Sequence, residues 1–254
     1  MGSALIRSFL NAGAVRKEDV IAGDKDTEKL KLLSGIVAAS TTDNREVAKK
    51  SDVIFLAVKP KEIAAVLAEV KDLVGEKLIV SIAAGVPIKL IDGELGGRAR
   101  VIRAMPNTPC LVGEGAIAYS LGKTATKKDG ELVKKLFGAV GIAVELPEGA
   151  LDAVTGLSGS GPAYFYLIIK ALAEAGVKEG LPKNVAEKLA AQTAKGAGAM
   201  VLRSSKTPDE LIDAVRSPGG TTAEGLKVME DKKVPEAVAE AVKAATKKAR
   251  ELAK

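Results

Sequence analysis

Two runs of the chain, VIFLAV at 53–58 and LIVSIA at 78–83, are apolar on both sides of an extended backbone, broken by a single serine. Successive side chains of a strand point to opposite faces, so a strand with one face in water alternates apolar with polar residues. A run that does not alternate is covered on both faces, the condition of a parallel sheet packed between helices. Further β-branched runs at 20–23, 36–40 and 99–104 accompany these two, and helix patterns at 26–33, 45–50, 61–74 and 88–95 lie between them. Gly35 stands where a C-terminal helix cap belongs. This is the alternation of βαβ units, so the spacing predicts an α/β domain with a parallel sheet. A last unit, with GAIAYSLG at 115–122, a helix near 128–140 and IAVEL at 142–146, closes the sheet edge before residue 147.

From residue 151 the grammar changes. No strand pattern follows, and Gly and Pro punctuate helices at 150–157, 161–178, 183–203, 208–216, 221–230 and 235–253. The stretch PAYFYLIIKALAEAG is apolar nearly all round. In a helical domain of about 100 residues such a helix is most easily buried against a second subunit. The expected division is therefore an α/β domain over 1–149 and an all-helical domain over 150–254, with no internal repeat and no low-complexity linker.

Composition removes several chemistries. The chain has no histidine and one cysteine, Cys110. Imidazole zinc sites, Ser-His-Asp triads, thiolate clusters and intrachain disulfides are thereby excluded, and no metal is expected. The lone cysteine fits a reducing, cytoplasmic setting. A net charge of +6 invites a nucleic-acid reading, but the lysines interleave with glutamates on helical stretches such as KKAREL, and aromatics are 3%. Solvated helix faces explain the charge better, so nucleic acid is not an expected partner. No apolar run approaches the ~20 residues of a membrane span, and no signal peptide is evident.

The opening MGSALIRSFLNAG reads as a helix over 1–12, with Ser3, Arg7 and Asn11 on one face, Leu5, Ile6, Phe9 and Leu10 on the other, and Gly13 as its cap. A strand at 20–23 follows and ends at Asp24, 22 positions after Gly2. A dinucleotide-binding unit consists of a strand, a G-x-G-x-x-G turn, a helix, a second strand, and an acid about 20 residues on that reaches the ribose. Everything from the third glycine onward is present here. In the strand order 3-2-1-4-5-6 the absent first strand would lie between the 20–23 strand and the 53–58 strand. Two sheet halves with unpaired facing edges are therefore expected, as is a start set too late within a longer coding sequence. By itself, one glycine ahead of a helix is weak evidence.

More specific words come later: VIRAMPNTPCLV at 101–112, LDAVTGLSGSGPAY at 151–164 and VRSPGGTTAEGL at 215–226, with FLAVKP at 55–60 and SIAAG at 81–85. Together they resemble the pyrroline-5-carboxylate reductase family over essentially the whole chain. In that family the N-terminal turn resembles GxGNMGSAL, and Met1-Gly2-Ser3 corresponds to its last part. The resemblance implies a Rossmann-like sheet domain followed by an all-α dimerisation domain. It implies reduction of the C=N bond of 1-pyrroline-5-carboxylate to L-proline by NADPH or NADH, in a homodimer that some members build into rings of dimers.

By the same resemblance Gly2, Ser3, Asp24, Asn44, Ala57, Val58, Lys59, Pro60, Ile82, Ala83, Ala84, Met105 and Asn107 bind the cofactor. Ser217, Gly219, Gly220, Thr221 and Glu148 bind substrate, and the hydroxyl of Thr222 lies near the substrate nitrogen as the catalytic group. The chemistry is consistent with these residues. Hydride transfer to an imine carbon needs placement rather than histidine, and a helix N-terminus after SPGG offers amides to a carboxylate. An acid at Asp24 favours a free ribose 2′-hydroxyl, so NADH is expected to serve at least as well as NADPH. Two other readings stay open on the sequence: a related reductase of another cyclic imine or small acid, and a non-catalytic scaffold.

Overall fold

The two apolar runs become adjacent central strands. In the computed structural model, which describes residues 1–252, β1 (Ile21–Gly23) pairs in parallel with β2 (Ala39–Thr41) as a two-stranded sheet. A separate five-stranded sheet runs β3 (Val53–Leu56), β4 (Leu78–Ser81), β5 (Arg100–Met105), β6 (Gly115–Leu121) and β7 (Gly141–Glu145). Val53 stands beside Leu78, and Leu78 beside Arg100, in parallel register. The sheet is thus interrupted between β1 and β3, where the incomplete fingerprint predicts two unpaired edges.

Helices cover both faces. They are α1 (Gly2–Asn11), α2 (Thr27–Lys31), α3 (Asn44–Lys50), α4 (Ile63–Val74), α5 (Ile88–Glu94) and α6 (Lys127–Gly138). All four residues of β4 are buried, Leu78 and Val80 toward one face and Ile79 toward the other. On the first face Leu5 and Phe9 of α1 pack with Ile102, Val133 and Phe137. Phe9, Phe55 and Phe137 form a triangle with ring centroids 5.8, 5.8 and 6.1 Å apart, the tilted geometry that aromatic quadrupoles favour. Ile6, on the next edge of α1, packs instead with Val20, Ala22, Leu33 and Val37 of the small sheet, and Arg7 donates to the Leu32 carbonyl. On the second face Ala48 of α3 joins Ile54, Leu56, Ile63 and Leu67, while Val47 lies against Gly23. The two sheets are held in one layer by helices above and below rather than by a continuous hydrogen-bond ladder.

Three local features, two of them departures from the sequence reading, have physical causes. The run at 36–40 extends only from Ala39, because the N–H groups of Ile36 and Val37 both turn back to the Leu33 carbonyl. β6 runs antiparallel to β5, since the connection over 106–114 is shorter than the dozen or so residues a parallel crossover needs. The helix expected over 150–157 is α7 (Leu151–Val154), and it loosens into a π-turn over Thr155–Gly159.

Contacts divide the chain into two compact units, one of Met1–Ser160 with the chain from Lys243 onward, the other of Gly161–Val242. In the second unit α8 (Gly161–Lys178) packs on α9 (Lys183–Arg203) through small residues. Ala173, Ala186 and Ala190 are buried there, and Gly176 admits Leu181 and Ala186 within 3.4 Å of where a side chain would begin. The remaining helices are α10 (Pro208–Val215), α11 (Thr221–Asp231) and α12 (Val234–Leu252). Phe165, Tyr166, Leu167 and Leu172 of α8 and Leu189, Met200 and Leu202 of α9 are each more than half exposed in the single chain. Among the described residues no helix is long and apolar enough to cross a membrane.

Phe9→Ala is expected to destabilise the protein by about 3–5 kcal/mol, the cost of a buried aromatic deletion, read as an earlier midpoint in chemical denaturation. A loss below about 1 kcal/mol would show that α1 is not what joins the two sheets.

Candidate active site

Parallel strands present ligands at their carboxyl ends, so the ends of β1, β3, β4 and β5 are where a site must be sought. α1 begins with Met1 as its cap residue and with no side-chain hydrogen bond to its first turn. The first amides of a helix have no partner within it and form an anion site. Gly2 fits this role sterically, since a side chain there would begin 3.0 Å from the Ala57 methyl at the end of β3.

At the end of β1, Asp24 Oδ1 accepts the Asp26 N–H at 2.9 Å, and Lys29 Nζ stands 3.6 Å from Oδ2. Asn44 opens α3 beside Gly23 and donates to Glu69 Oε2 at 2.7 Å. Lys25 pairs with Glu62, whose other oxygen accepts the Lys59 N–H at 3.4 Å. The Lys25 ammonium holds the Glu62 carboxyl below its usual range. This chain of contacts joins the loop after β1 to the loop after β3. Ala57 and Val58 are half-buried, and Lys59 and Pro60 exposed. The Ile82 N–H reaches the Leu56 carbonyl at 3.1 Å, so Ile82, Ala83 and Ala84 leave β4 beside the end of β3. Met105 ends β5, and Asn107 is 7% exposed, its amide joined to Ala116 and Ser158. The sequence-predicted cofactor residues of this unit therefore all lie at the start of α1 or at or just beyond the ends of β1, β2, β3, β4 and β5.

The structure engages Glu148 in a network that the sequence reading missed. Its Oε1 accepts the Ile88 N–H at 2.7 Å and the Arg103 guanidinium at 3.3 Å. Arg103 lies in the middle of β5, almost wholly buried, and also faces Asp152 at 3.6 Å. A buried cation must be paired, and an arginine inside the apolar word VIRAM was the signal for such a network. Asp92 of α5 belongs to the same neighbourhood. Its Oδ1 is buried without a hydrogen bond, and burial together with the Glu148 charge pushes its carboxyl above the usual range. Cys110 is buried as well, and burial pushes its thiol up.

In the second unit the SPGGTT segment makes a tight turn into α11. The Gly220 N–H reaches the Ser217 carbonyl at 3.0 Å, and Gly219 adopts φ of 68°, a left-handed conformation suited to glycine. A side chain at Gly220 would begin 2.3 Å from Ser217 Oγ. Gly220 is the cap residue, and no side chain caps the helix. A threonine cap, the plainest explanation of this word, is thus not what the residues do. The first-turn amides of α11 and the Thr221 and Thr222 hydroxyls face no protein partner among the described residues.

Comparisons with known proteins show what the chain as a whole is similar to. Residues 148–252 match the family model described as pyrroline-5-carboxylate reductase dimerisation, and residues 1–85 match that of coenzyme F420-dependent NADP oxidoreductases. The chain is 42% identical to a pyrroline-5-carboxylate reductase of Methanosarcina acetivorans, over 100% of this chain and 95% of that protein. It is 41% identical to pyrroline-5-carboxylate reductase 2 of Bos taurus, over 99% of this chain and 81% of the relative. Among solved structures, the Plasmodium falciparum pyrroline carboxylate reductase with NADP bound superposes with a TM-score of 0.91 at 36% identity, covering 100% of this chain and 95% of that one. The Coxiella burnetii pyrroline-5-carboxylate reductase gives 0.92 at 36% identity, with the same coverage.

Two stability outcomes follow from the buried charges. Arg103→Met strands Glu148 and Asp152 without their cation and is expected to cost about 3 kcal/mol in urea denaturation, the low end for a broken buried pair because Glu148 is 33% exposed. Asp92→Asn acts oppositely. A folded-state carboxyl held above its unfolded value draws the folded protein toward the protonated form, so the parent loses stability as pH rises from about 4 toward neutrality. The asparagine variant lacks this loss, and its melting temperature relative to the parent rises between pH 4 and 7. A constant difference across that range would remove Asp92 from the account.

Proposed function

The chain belongs to the pyrroline-5-carboxylate reductase family, and from that premise we propose how its residues divide the work. The reaction is reduction of the C=N bond of 1-pyrroline-5-carboxylate to L-proline, with NADPH or NADH as reductant, in the last step of proline biosynthesis. The cofactor supplies the hydride when bound. The chain supplies binding, orientation and a proton donor.

The residues fit a dinucleotide. Gly2 and Ser3 present the uncapped amides of α1 to a pyrophosphate, and the close approach of Gly2 to Ala57 makes a side chain there a tight fit. Asp24 and Asn44 take the adenosine end, and Ala57, Val58, Lys59, Pro60, Ile82, Ala83 and Ala84 line the path along the strand ends. Met105 and Asn107 border the nicotinamide. For the substrate, Ser217 and the amides around Gly219, Gly220 and Thr221 receive the carboxylate, and Glu148 retains Oε2 for a contact while Oε1 holds Ile88 and Arg103. The Thr222 hydroxyl orients the imine and passes it a proton, directly or through water. The observation that carries this assignment is the uncapped start of α11, where neither threonine satisfies the first-turn amides.

The dimerisation match over 148–252 and the apolar faces left open on α8 and α9 support a homodimer built through residues near 160–203. The single buried cysteine and the archaeal and cyanobacterial relatives support a cytoplasmic setting. Neither nucleic acid nor membrane has a part in this reading. Light scattering of the ligand-free protein is expected to give the mass of two chains, with a multiple of that mass marking a ring of dimers and a monomer at micromolar concentration counting against the proposal.

In a proline-forming assay Thr222→Ala is expected to lower kcat by about 100-fold with KM changed far less, the range of a lost proton donor. An unchanged kcat would place the proton donor elsewhere. Asp24 is proposed to favour NADH, because its carboxylate would repel a 2′-phosphate. Asp24→Ser should then raise kcat/KM for NADPH relative to NADH by about tenfold, the equivalent of ~1.4 kcal/mol. A parent enzyme with a strong NADPH preference would sink this assignment.

A further inference from the structure

We propose that Asn107 is a positioning residue for the reduction: its side-chain amide locks the end of β5 to the start of β6 and to the π-turn at 155–159, and it serves the nicotinamide site through that lock rather than by touching the cofactor. The inference rests on the functional reading above and refines it at one residue.

Three observations carry it. First, both ends of the amide are committed to main chain. Oδ1 accepts the Ala116 N–H at 2.9 Å, Nδ2 donates to the Ser158 carbonyl at 3.0 Å, and the residue is 7% exposed. Second, Asn107 occupies the cap position of the 3₁₀ turn at Thr108–Val112, where an asparagine ordinarily caps the turn with its own side chain. Here no side-chain cap bond is made, because the amide is turned to the other two segments. Third, the π-turn needs an outside partner. Its closing bond runs from the Ser160 N–H to the Thr155 carbonyl at 2.9 Å. The Ser158 carbonyl lies at the end of the turn, where helical carbonyls lose their internal donors, and Asn107 supplies one. The contact is tight on its other side too, since a side chain at Gly159 would begin 2.9 Å from Met105 Cε. Single π-turns inside helical segments recur at functional sites, where they aim neighbouring groups.

The consequence is positional. One planar amide fixes the distance between the loop 105–108, which leaves the carboxyl end of a central strand, and two other segments. A shift of about 1 Å in a group that borders a hydride-transfer site can cost about 100-fold in rate without altering ground-state binding. Removing the lock should therefore act on kcat, whereas removing a cofactor contact would act on the dissociation constant.

The experiment compares the parent with Asn107→Leu, which loses both bonds at similar size, and Asn107→Asp, which keeps the acceptor for Ala116 and loses the donor to Ser158. NADPH dissociation constants are read by fluorescence titration, kcat at saturating NADPH and NADH, and folding by thermal melts. The leucine variant is expected to hold NADPH within about threefold of the parent while kcat falls about tenfold or more. In the aspartate variant, protonation of the new carboxyl restores an O–H donor to the Ser158 carbonyl, so its kcat relative to the parent should rise as pH is lowered from 8 toward 5. Either variant folding suffices, because each is read against the parent by its own measure, the leucine variant by kcat against the NADPH dissociation constant and the aspartate variant by the pH dependence of relative kcat. A weakened NADPH constant with kcat unchanged at saturation overturns the proposal in favour of direct contact, and a lower melting temperature with both parameters unchanged overturns it in favour of simple support. A parent that forms no proline overturns the functional reading and this refinement with it, whereas an active parent with either of the other outcomes overturns the refinement alone.

Discussion

The burial of Phe9 against Phe55 and Phe137 is the contact on which the rest of the first unit depends. Three of the four phenylalanines of the chain meet in that triangle, one each from α1, β3 and α6. With Leu5 it presses α1 onto the five-stranded sheet, while Ile6 presses the same helix onto the two-stranded one. The start of α1 is thereby fixed beside the end of β3, where its unpaired amides can serve a ligand. Ion pairs at the same edge, such as Lys25 with Glu62, are screened by solvent and do little of the joining. Apolar burial on both faces, by α1 above and by α3 and α4 below, joins the two sheets.

The interrupted sheet explains why each part is small where it is. β1 and β2 are three residues each, and a two-stranded sheet is only marginally stable in water. They persist because Ala22, Leu33 and Val37 share a cluster with Ile6 and Val20. The large sheet needs no such help, since β4 is buried on both faces and β5 nearly so. Stability therefore concentrates at β3 to β6, and the strand ends that carry Ala57, Ile82 and Met105 belong to the most firmly held part of the chain.

Much of this was legible in the residues. Non-alternating apolar runs marked the central strands, and the change of grammar at residue 151 marked the helical region, whose α8 and α9 fall at 161–178 and 183–203 as the punctuation by Gly and Pro indicates. The interruption between β1 and β3 could be read from the incomplete glycine fingerprint, because strand order is a matter of topology. What escaped were one local hydrogen-bond choice and several features set by long-range contacts. The strand expected from residue 36 was shortened by two amides turning back to Leu33, a local choice that periodicity does not encode. The π-turn at 155–159 and the role of Asn107 depend on segments 9 and 51 residues apart in sequence. Glu148 read as a loop residue open to substrate, and its partners Ile88 and Arg103 are 60 and 45 residues away.

The buried network around Arg103 shows how the fold reaches toward the chemistry. An arginine buried in a central strand is tolerated only with acids supplied to it, and both acids facing Arg103, Glu148 and Asp152, come from the segment that leads directly into the π-turn. The same strand carries Asn107 two residues beyond its end, and the same segment carries Ser158. β5 and the 148–159 segment are thus joined twice, by charge in the interior and by an amide at the edge. Either link alone would leave a pivot about which the other end could swing. Two links separated along both partners remove that freedom, so the loop after β5, which we propose borders the nicotinamide, inherits the rigidity of the sheet.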